Sequence, residues 1–316
     1  MSAPILPEDP RLCHWLAGSK DRVDEAHVVI VAFPSDEGVR RNGGRPGASG
    51  GPAAIRRALY RMTPDARAPE AFAALLERTA DLGNVDVSGD VERDQEALAG
   101  TVAPHLGRRA VIVLGGGHET AYGHLLGYVR AARPVHVLNW DAHTDVREAG
   151  ASGGHSGSAF RQGLEHPSGL VRSYSAAGLH PWRVAAEHAA WVRARGGRVA
   201  WVEDLDAPGV DAMVREMPGP AMASFDLDAV SAPEAPGVSA PGVGGMPGRL
   251  WLRAAEACGR AAQFGSFEVV ETNPAADTDA RAATMAALTV WHLLRGLAAR
   301  SAPEAGPAPA EAGGGG

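Results

Sequence analysis

Short apolar runs alternate with segments of helical spacing along most of the chain. Val28–Phe33 (VVIVAF) and residues 110–114 (AVIVL) have the length and the β-branched content of buried strands. Further strands are predicted at 134–140, 171–179, 198–202, 221–227 and 264–271, and helices at 53–62, 92–106, 119–132, 184–194 and 279–300. This alternation predicts an α/β fold of three αβα layers, in which helices cover both faces of a mainly parallel central sheet.

The domain organisation follows from where this pattern stops. Residues 1–300 are predicted to form one domain, because no linker interrupts the alternation. Residues 301–316 (SAPEAGPAPAEAGGGG) are low in complexity and are predicted to be disordered. Residues 231–248, rich in Pro and Gly, form a long loop directly after a motif, where functional loops are expected.

Composition and charge narrow the class of protein. Hydrophobic residues make up 45% and charged residues 21% of the 316 residues, enough for a sizeable core. The net charge of -7, without a long basic run, argues against a nucleic-acid partner. The N-terminus does not resemble a signal peptide, and the apolar stretch 282–294 is too short to span a bilayer. We therefore expect a cytoplasmic protein without a membrane partner.

Acids and histidines follow three of the predicted strands. The segments are 111–119 (VIVLGGGHE), 135–145 (VHVLNWDAHTD) and 222–228 (MASFDLD). Since ligands bind beyond the carboxyl ends of parallel strands, these groups are expected to converge there. The predicted metal ligands are His118, Asp141, His143, Asp145, Asp226 and Asp228.

This set of nitrogen and oxygen donors suits Mn²⁺ better than a metal selected by thiolates. Two facing carboxylate clusters repel each other strongly, and two metal ions between them would remove that repulsion. A single DxD motif is more often a loop cap, and Gly115-Gly116-Gly117 alone could be a phosphate-binding turn. However, GxGxxG spacing and a Walker lysine are missing, and three clusters at three strand ends favour the metal centre.

Four motifs in this order resemble those of the ureohydrolase (arginase-like) family: GGGHE, DAHTD, SFDLD and FEVVETNP. The resemblance extends from about residue 28 to residue 297. It implies an arginase-like fold, a homo-oligomer and two Mn²⁺ ions. One ion would be held by His118, Asp141, Asp145 and Asp226, and the other by Asp141, His143, Asp226 and Asp228. Asp141 and Asp226 would bridge the two ions.

Other segments are similar to those of the formimidoylglutamase subfamily, namely 35–52, 145–147, 156–162 and 235–241. This resemblance implies hydrolysis of the amidine N-formimidoyl-L-glutamate to L-glutamate and formamide, in histidine degradation. The alternatives are another ureohydrolase activity (guanidinobutyrase, agmatinase or arginase) and a catalytically silent metal-binding relative.

The resemblance also implies roles in catalysis. Glu271 matches the glutamate that accepts the substrate amidinium; without the resemblance it would be a strand-end acid paired with an arginine. Asp145 is expected to take a proton from the attacking water and pass it to the departing amine. Ser156 stands where arginases carry a proton-shuttling histidine, and His155 lies one place earlier. A one-residue shift along an extended segment reverses the side chain, so His155 is either a proton donor or a supporting residue.

The two carboxylates of the glutamyl group require cationic or polar partners. Arg147 is the preferred candidate, because it lies two residues beyond a predicted ligand, and Ser156 is expected to assist it. Further candidates are Arg40, Arg41, Arg45 and Arg161, for which surface salt bridges are the alternative.

Overall fold

Eight parallel strands form the centre of the computed structural model, which describes residues 7–301. They are β1 (Val28–Phe33), β2 (Thr79–Asn84), β3 (Ala110–Gly115), β4 (Val135–Trp140), β5 (Val171–Leu179), β6 (Val199–Trp201), β7 (Ala221–Asp226) and β8 (Phe264–Val270). Their spatial order is β2-β1-β3-β8-β7-β4-β5-β6, and every pairing between them is parallel. The predicted sheet is therefore confirmed.

Within residues 7–301 eleven α-helices accompany the sheet. They are α1 (Cys13–Leu16), α2 (Glu37–Arg41), α3 (Gly51–Leu59), α4 (Pro69–Glu77), α5 (Val91–Val102), α6 (Thr120–Arg130), α7 (Ala159–Leu164), α8 (Ala186–Ala194), α9 (Ala207–Arg215), α10 (Gly248–Arg260) and α11 (Arg281–Ser301). All five predicted helices are present, with ends that differ by a few residues. Of residues 301–316, which were predicted to be disordered, Ser301 is instead the last residue of α11, and residues 302–316 lie outside the described residues.

Two hydrophobic cores lie on opposite faces of the sheet. Successive residues of β1 alternate between them, so that Ile30 belongs to one core and Val29 to the other. The first core includes side chains from α3, α10 and α11, and the second includes side chains from α5, α6 and α7. The three-layer αβα architecture is therefore confirmed.

Four substantial elements are absent from the predicted set: β2, α4, α9 and α10. The sequence of β2 (TADLGN) is mostly polar or small, and the strand lies at the edge of the sheet, where burial decreases along its length. Helix α10 begins directly after the loop rich in Pro and Gly, which hides its start. The polar edge strand lacks the hydrophobic periodicity on which the prediction depends, whereas α10 has a regular apolar face and only its start is hard to recognise.

Helix α11 is the most apolar long helix in the described part of the chain. By length and a mean hydropathy of 1.2, residues 281–300 could cross a membrane, although 61% of this stretch is buried inside the fold. The helix packs against α3, α4 and α10. Its apolar side chains therefore belong to the core, which accounts for its hydropathy.

Helices α10 and α11 approach closely at Gly296, and this contact yields a stability prediction. A Cβ atom at Gly296 would lie 2.4 Å from the backbone oxygen of Glu256 and 2.6 Å from the backbone nitrogen of Arg260. We expect Gly296→Ala to lower the free energy of unfolding by about 1–3 kcal/mol, because overpacking displaces α10. Urea denaturation at fixed metal loading measures the change.

The matched control is Gly100→Ala, in α5. There the nearest atoms to an added Cβ belong to the Arg130 guanidinium, at 3.9 Å, so the new methyl group has room. Alanine favours the helix by up to about 1 kcal/mol over glycine, and this variant should be neutral or stabilised. Equal destabilisation of both variants would contradict the close contact.

Candidate metal centre

The predicted ligands lie at the carboxyl ends of three strands in the middle of the sheet. His118 follows β3, Asp141, His143 and Asp145 follow β4, and Asp226 ends β7. In the spatial order β3-β8-β7-β4, these strands are separated only by β8, which precedes Glu271. Topology therefore brings together segments that are more than a hundred residues apart in sequence.

One group of potential ligands surrounds His118. Its Nδ1 lies 2.9 Å from an Oδ atom of Asp145, 3.0 Å from one of Asp226 and 3.3 Å from one of Asp141. These four donor atoms all lie within 4.8 Å of one another. The structure thus brings together the four residues predicted for one metal ion.

A second group consists of Asp141, His143 and Asp228. The Nδ1 atom of His143 lies 3.0 Å from Asp228 Oδ2 and 3.4 Å from Asp141 Oδ1. Asp141 faces the first group with Oδ2 and the second with Oδ1, as a bridging carboxylate would. Asp226 belongs to the first group only, so its bridging role stays a prediction.

Hydrogen bonds within the loops fix the directions of these carboxylates. Asp141 accepts a hydrogen bond from the His143 backbone N–H (2.6 Å) and another from the Asn139 side chain (2.9 Å). Asp226 accepts one from the Asp228 backbone N–H (2.9 Å). In both loops the residue two places beyond the aspartate, His143 or Asp228, thus donates the backbone N–H that orients it.

Behind the metal centre lies a buried chain of hydrogen bonds that the sequence analysis did not identify. The Nε2 atom of His118 lies 2.9 Å from Ser224 Oγ, and that hydroxyl donates to Glu268 (2.7 Å). The other oxygen of Glu268 lies 3.0 Å from Nδ1 of His124. Such partners fix the tautomer and orientation of a ligating histidine. The available signal was Glu268, the one charged residue of the buried strand β8.

The backbone is strained at two of the predicted functional residues. Asp145 and Glu271 adopt positive φ angles of 46° and 65°, a region that non-glycine residues rarely occupy. Each such residue costs roughly 1–3 kcal/mol and persists only where its surroundings impose it. Here the strained turns aim both carboxylates into the same site.

The electrostatics of the site reflect its many buried acids. Burial raises the pKa of Asp226 well above its usual range, and Asp228 and Asp141 add to this shift. Burial opposes protonation of His143, but Asp228 and Asp141 raise the pKa of this histidine to about 12. Three facing carboxylates likewise raise the pKa of His118. In the absence of a metal ion, protons on the two histidines would supply the positive charge that these carboxylates require.

The donor set fits divalent metal ions. The Nδ1 atom of His118 is buried and makes no hydrogen bond of acceptable geometry within the described residues, although three carboxylate oxygens face it. A ligating nitrogen would have these surroundings, because a cation can be shared by all four groups. Carboxylate-rich sites with imidazole favour hard ions such as Mn²⁺ over metals selected by thiolates.

Glu271 lies beside the ligands and has one carboxylate oxygen to spare. One oxygen accepts a hydrogen bond from the backbone N–H of His118 (2.8 Å), whereas the other is buried without a partner among residues 7–301. Burial, followed by the nearby charge of Glu119, raises the pKa of Glu271 to about 8. A planar cation that donates two hydrogen bonds would satisfy both the charge and the free oxygen.

A cavity of about 160 Å³ opens over the metal centre and is lined by His143, Asp145, Asp226, Asp228 and Glu271. Arg147 and Ser156 line it too, as expected for residues that bind a substrate. Asn42 and Ser239, which the sequence analysis did not identify, complete its polar wall.

His155 is buried beside the cavity without lining it. Its Nδ1 accepts a hydrogen bond from the Gly157 backbone (3.2 Å), and its Nε2 lies 3.1 Å from the backbone oxygen of Glu148. Proton donation by His155 stays a prediction. One ring nitrogen would first have to leave its backbone partner.

The arginines proposed for the substrate carboxylates differ in their partners. Arg161 pairs with Glu148 and Glu165, Arg40 with Asp36 and Glu37, and Arg41 with Glu92. Arg45 donates to the backbone oxygens of Val238 and Ser239. Among these five, Arg147 alone lines the cavity, and it has no carboxylate partner within the described part of the chain. Arg40, Arg41 and Arg161 thus form the salt bridges given as the alternative, whereas Arg45 binds backbone oxygens. A role in substrate binding stays a prediction for all four.

Comparison with known proteins identifies the family. A family model described as "Arginase family" matches residues 26–295. The chain is 37% identical over 274 residues to the formimidoylglutamases of Salmonella newport (strain SL254) and Salmonella typhi, and each alignment covers 84% of both proteins.

Solved structures agree with the fold. A crystal structure of Trypanosoma cruzi formiminoglutamase with Mn²⁺ superposes with a TM-score of 0.84 at 29% identity, covering 93% of this chain and 100% of that one. Arginase from Bacillus subtilis superposes with a TM-score of 0.70 at 26% identity, covering 84% and 98% of the two chains.

The two ligand groups share Asp141, which predicts how metal stoichiometry responds to single substitutions. The wild type should bind two Mn²⁺ ions per chain, and Asp228→Ala should keep one, because the group around His118 remains intact. Asp141→Ala should lose both. Elemental analysis after gel filtration measures the metal content. The exposed Asp204→Ala variant serves as the control, and one retained ion in Asp141→Ala would refute the shared carboxylate.

Metal loading should release protons. In the metal-free protein the raised pKa values keep His118 and His143 protonated at neutral pH. Their protonation contributes stability that is complete below the unfolded pKa of about 6.5 and is lost as the pH rises through the folded values. A metal ion needs the neutral imidazole, so metal affinity should increase as the pH rises. Titration with MnCl₂ in weak buffer, followed with a pH indicator, tests this; a titration without proton release would contradict it.

Proposed function

The chain belongs to the arginase family, and on that premise we propose that it uses two manganese ions to hydrolyse N-formimidoyl-L-glutamate to L-glutamate and formamide. The single observation that carries this proposal is the pairing of two features in one cavity. A glutamate with one oxygen unpaired among residues 7–301 lies beside the metal ligands, and an arginine with no acidic partner in the same range lines the same wall. An amidine attached to a dicarboxylate has the matching charges.

Glu271 orients the formimidoyl group in this proposal. Burial and the nearby charge of Glu119 raise the pKa of Glu271 to about 8, and a bound amidinium would supply the positive charge that favours its ionised form. Charge-assisted hydrogen bonds to the free oxygen hold the planar group in a fixed plane. The formimidoyl carbon then lies over His143, Asp145 and Asp228, which line the same cavity.

Arg147 binds the glutamyl carboxylates, and Ser156 assists it. The guanidinium of Arg147 is exposed at the mouth of the cavity, and Asn42 is its one hydrogen-bonding partner within residues 7–301. Its remaining N–H groups match the planar fork of a carboxylate. Agmatine has no carboxylate, so this arginine favours a carboxylate-bearing substrate over agmatine.

The two ligand groups fit the manganese ions that the Trypanosoma cruzi relative contains. When bound, such ions supply Lewis acidity and lower the pKa of water at the site. Asp145 lines the cavity, and burial, together with the charge of Asp141, raises its pKa. Asp145 is therefore suited to accept a proton from the attacking water and to return it to the nitrogen of the departing glutamate as the C–N bond breaks.

Five expectations stay predictions. They are bridging by Asp226, proton delivery by His155, assembly into a homo-oligomer, a cytoplasmic location and a place in histidine degradation. Proton delivery has two candidates, because Asp145 lines the cavity whereas His155 is bonded to the backbone behind it.

A substrate panel tests the proposed activity. The manganese-loaded protein should release glutamate and formamide in equal amounts from N-formimidoyl-L-glutamate. It should release little or no urea from arginine, agmatine or 4-guanidinobutyrate. Asp141→Ala, prepared in the same way, should be inactive because both ligand groups lose a member. This variant also reports any contaminating hydrolase.

Urea from a guanidino compound, without formamide from formimidoylglutamate, would assign the chain to another activity of the family. Turnover that persists in the Asp141→Ala variant would refute the metal centre as the place of reaction. No turnover of any compound by the fully loaded wild type would favour the catalytically silent alternative.

A further inference from the structure

We propose that Asn42 is a positioning residue that determines carboxylate specificity, because it holds Arg147 and Ser156 in one arrangement at the mouth of the cavity. The side-chain oxygen of Asn42 accepts a hydrogen bond from Arg147 (3.0 Å). Its side-chain nitrogen donates to the hydroxyl of Ser156 (3.1 Å). This inference rests on the proposed function, since it assigns a role in recognising the glutamyl part of that substrate.

The two hydrogen bonds use both ends of the Asn42 amide. Arg147 offers only donors, so its partner must be an acceptor, and the donation to Ser156 leaves the serine proton free to point elsewhere. An amide supplies both the acceptor and the donor without adding charge. The Ser156 hydroxyl then has its own proton available for a carboxylate of the substrate.

Local sequence explains why Asn42 points into this site. It ends the short helix α2 with its backbone N–H bonded to the Gly38 oxygen (3.1 Å). Gly43 then takes a φ of 74°, a left-handed conformation that a glycine adopts without steric cost, and the chain reverses. The reversal directs the chain away from the helix axis and leaves the Asn42 side chain on the cavity wall.

Helix α2 is itself held against the metal centre. Glu119, the neighbour of His118, is fully buried and accepts a hydrogen bond from the backbone N–H of Gly38 (2.9 Å). At the other end of the helix, Arg41 donates to Glu92 and to the backbone oxygen of Gly154 (3.2 Å). The Asn42 amide is therefore attached to a fixed element rather than to a mobile loop.

A fixed partner matters for Arg147 because its side chain is long and exposed. An unrestrained arginine loses up to about 2 kcal/mol of rotamer entropy when it binds a ligand. The hydrogen bond to Asn42 restricts the guanidinium before the substrate arrives. In this proposal the two ends of the substrate are recognised at different places. Glu271 binds the amidine at the bottom of the cavity, and Asn42, Arg147 and Ser156 bind the carboxylates at its mouth.

The experiment compares wild type, Asn42→Ala and Asn42→Asp, all loaded with manganese. Each is assayed with N-formimidoyl-L-glutamate and with an N-alkylformamidine that has no carboxylate. Asn42→Ala should raise KM for formimidoylglutamate about tenfold, in line with the loss of hydrogen bonds to a charged group, and should leave kcat nearly unchanged. Asn42→Asp should raise KM further, because its charge neutralises Arg147 and repels the substrate. Neither should change kcat/KM for the N-alkylformamidine.

The matched control is Asn84→Ala. Asn84 also accepts a hydrogen bond from an arginine, Arg56 (3.0 Å), at the end of β2 and away from the cavity. It should leave both substrates unaffected. Equal loss with both substrates in Asn42→Ala would indicate general damage to the site and would overturn the specificity role, as would an unchanged KM for formimidoylglutamate.

A binding measurement separates this inference from the proposed reaction. Calorimetric titration of the same proteins with L-glutamate requires no turnover, and its affinity should decrease in the order wild type, Asn42→Ala, Asn42→Asp. If wild type fails to hydrolyse formimidoylglutamate but the glutamate series holds, the proposed substrate is wrong and the role of Asn42 stands. If the reaction holds but glutamate binds all three proteins equally, or does not bind wild type, the role of Asn42 is overturned.

Discussion

Repulsion among buried carboxylates at neighbouring strand ends is the constraint on which the rest of the site depends. Asp141, Asp145, Asp226 and Asp228 converge because β4 and β7 are adjacent and parallel. Water is largely excluded, so the repulsion is weakly screened and must be balanced by positive charge. The two histidines show the two ways to achieve this: they either hold protons themselves or become ligands of metal ions that replace those protons.

This constraint explains why many of the surrounding groups serve to orient the predicted metal ligands. Backbone N–H groups and Asn139 direct the carboxylates, and the chain from Ser224 through Glu268 to His124 holds His118 from behind. The strained backbone turns at Asp145 and Glu271 also orient their carboxylates toward the site. A rigid, strained and highly charged centre lowers stability locally, and the two apolar cores on either side of the sheet offset that cost.

The sequence allowed prediction of the parts of the protein that depend on strong local patterns. Apolar runs identify the buried strands, and a parallel sheet places the carboxyl ends of these strands at one edge. The convergence of His118 with three aspartates therefore followed from topology alone. The edge strand β2 was not predicted because its polar residues blur the periodicity, and helix α10 was not predicted because it begins directly after a loop rich in Pro and Gly. Asn42 and Ser224 were not predicted for another reason. Each acts through a hydrogen bond to a residue that is distant in sequence, and no spacing within a single motif reveals such a pair.

The two halves of the site are built from different kinds of structure, and this bears on how the family varies its substrates. The metal ligands and Glu271 follow strands whose register is fixed by the sheet, so they change little without disturbing the core. Arg147, Ser156, Asn42 and Ser239 lie outside the strands, in connecting segments that reach one another only through side-chain and loop contacts. A change in these segments alters what surrounds the amidine while leaving the reacting groups in place. Substrate selection can therefore diverge between relatives that share one metal centre, and in the role proposed for Asn42 it depends on a single uncharged amide that holds Arg147 in place for a carboxylate.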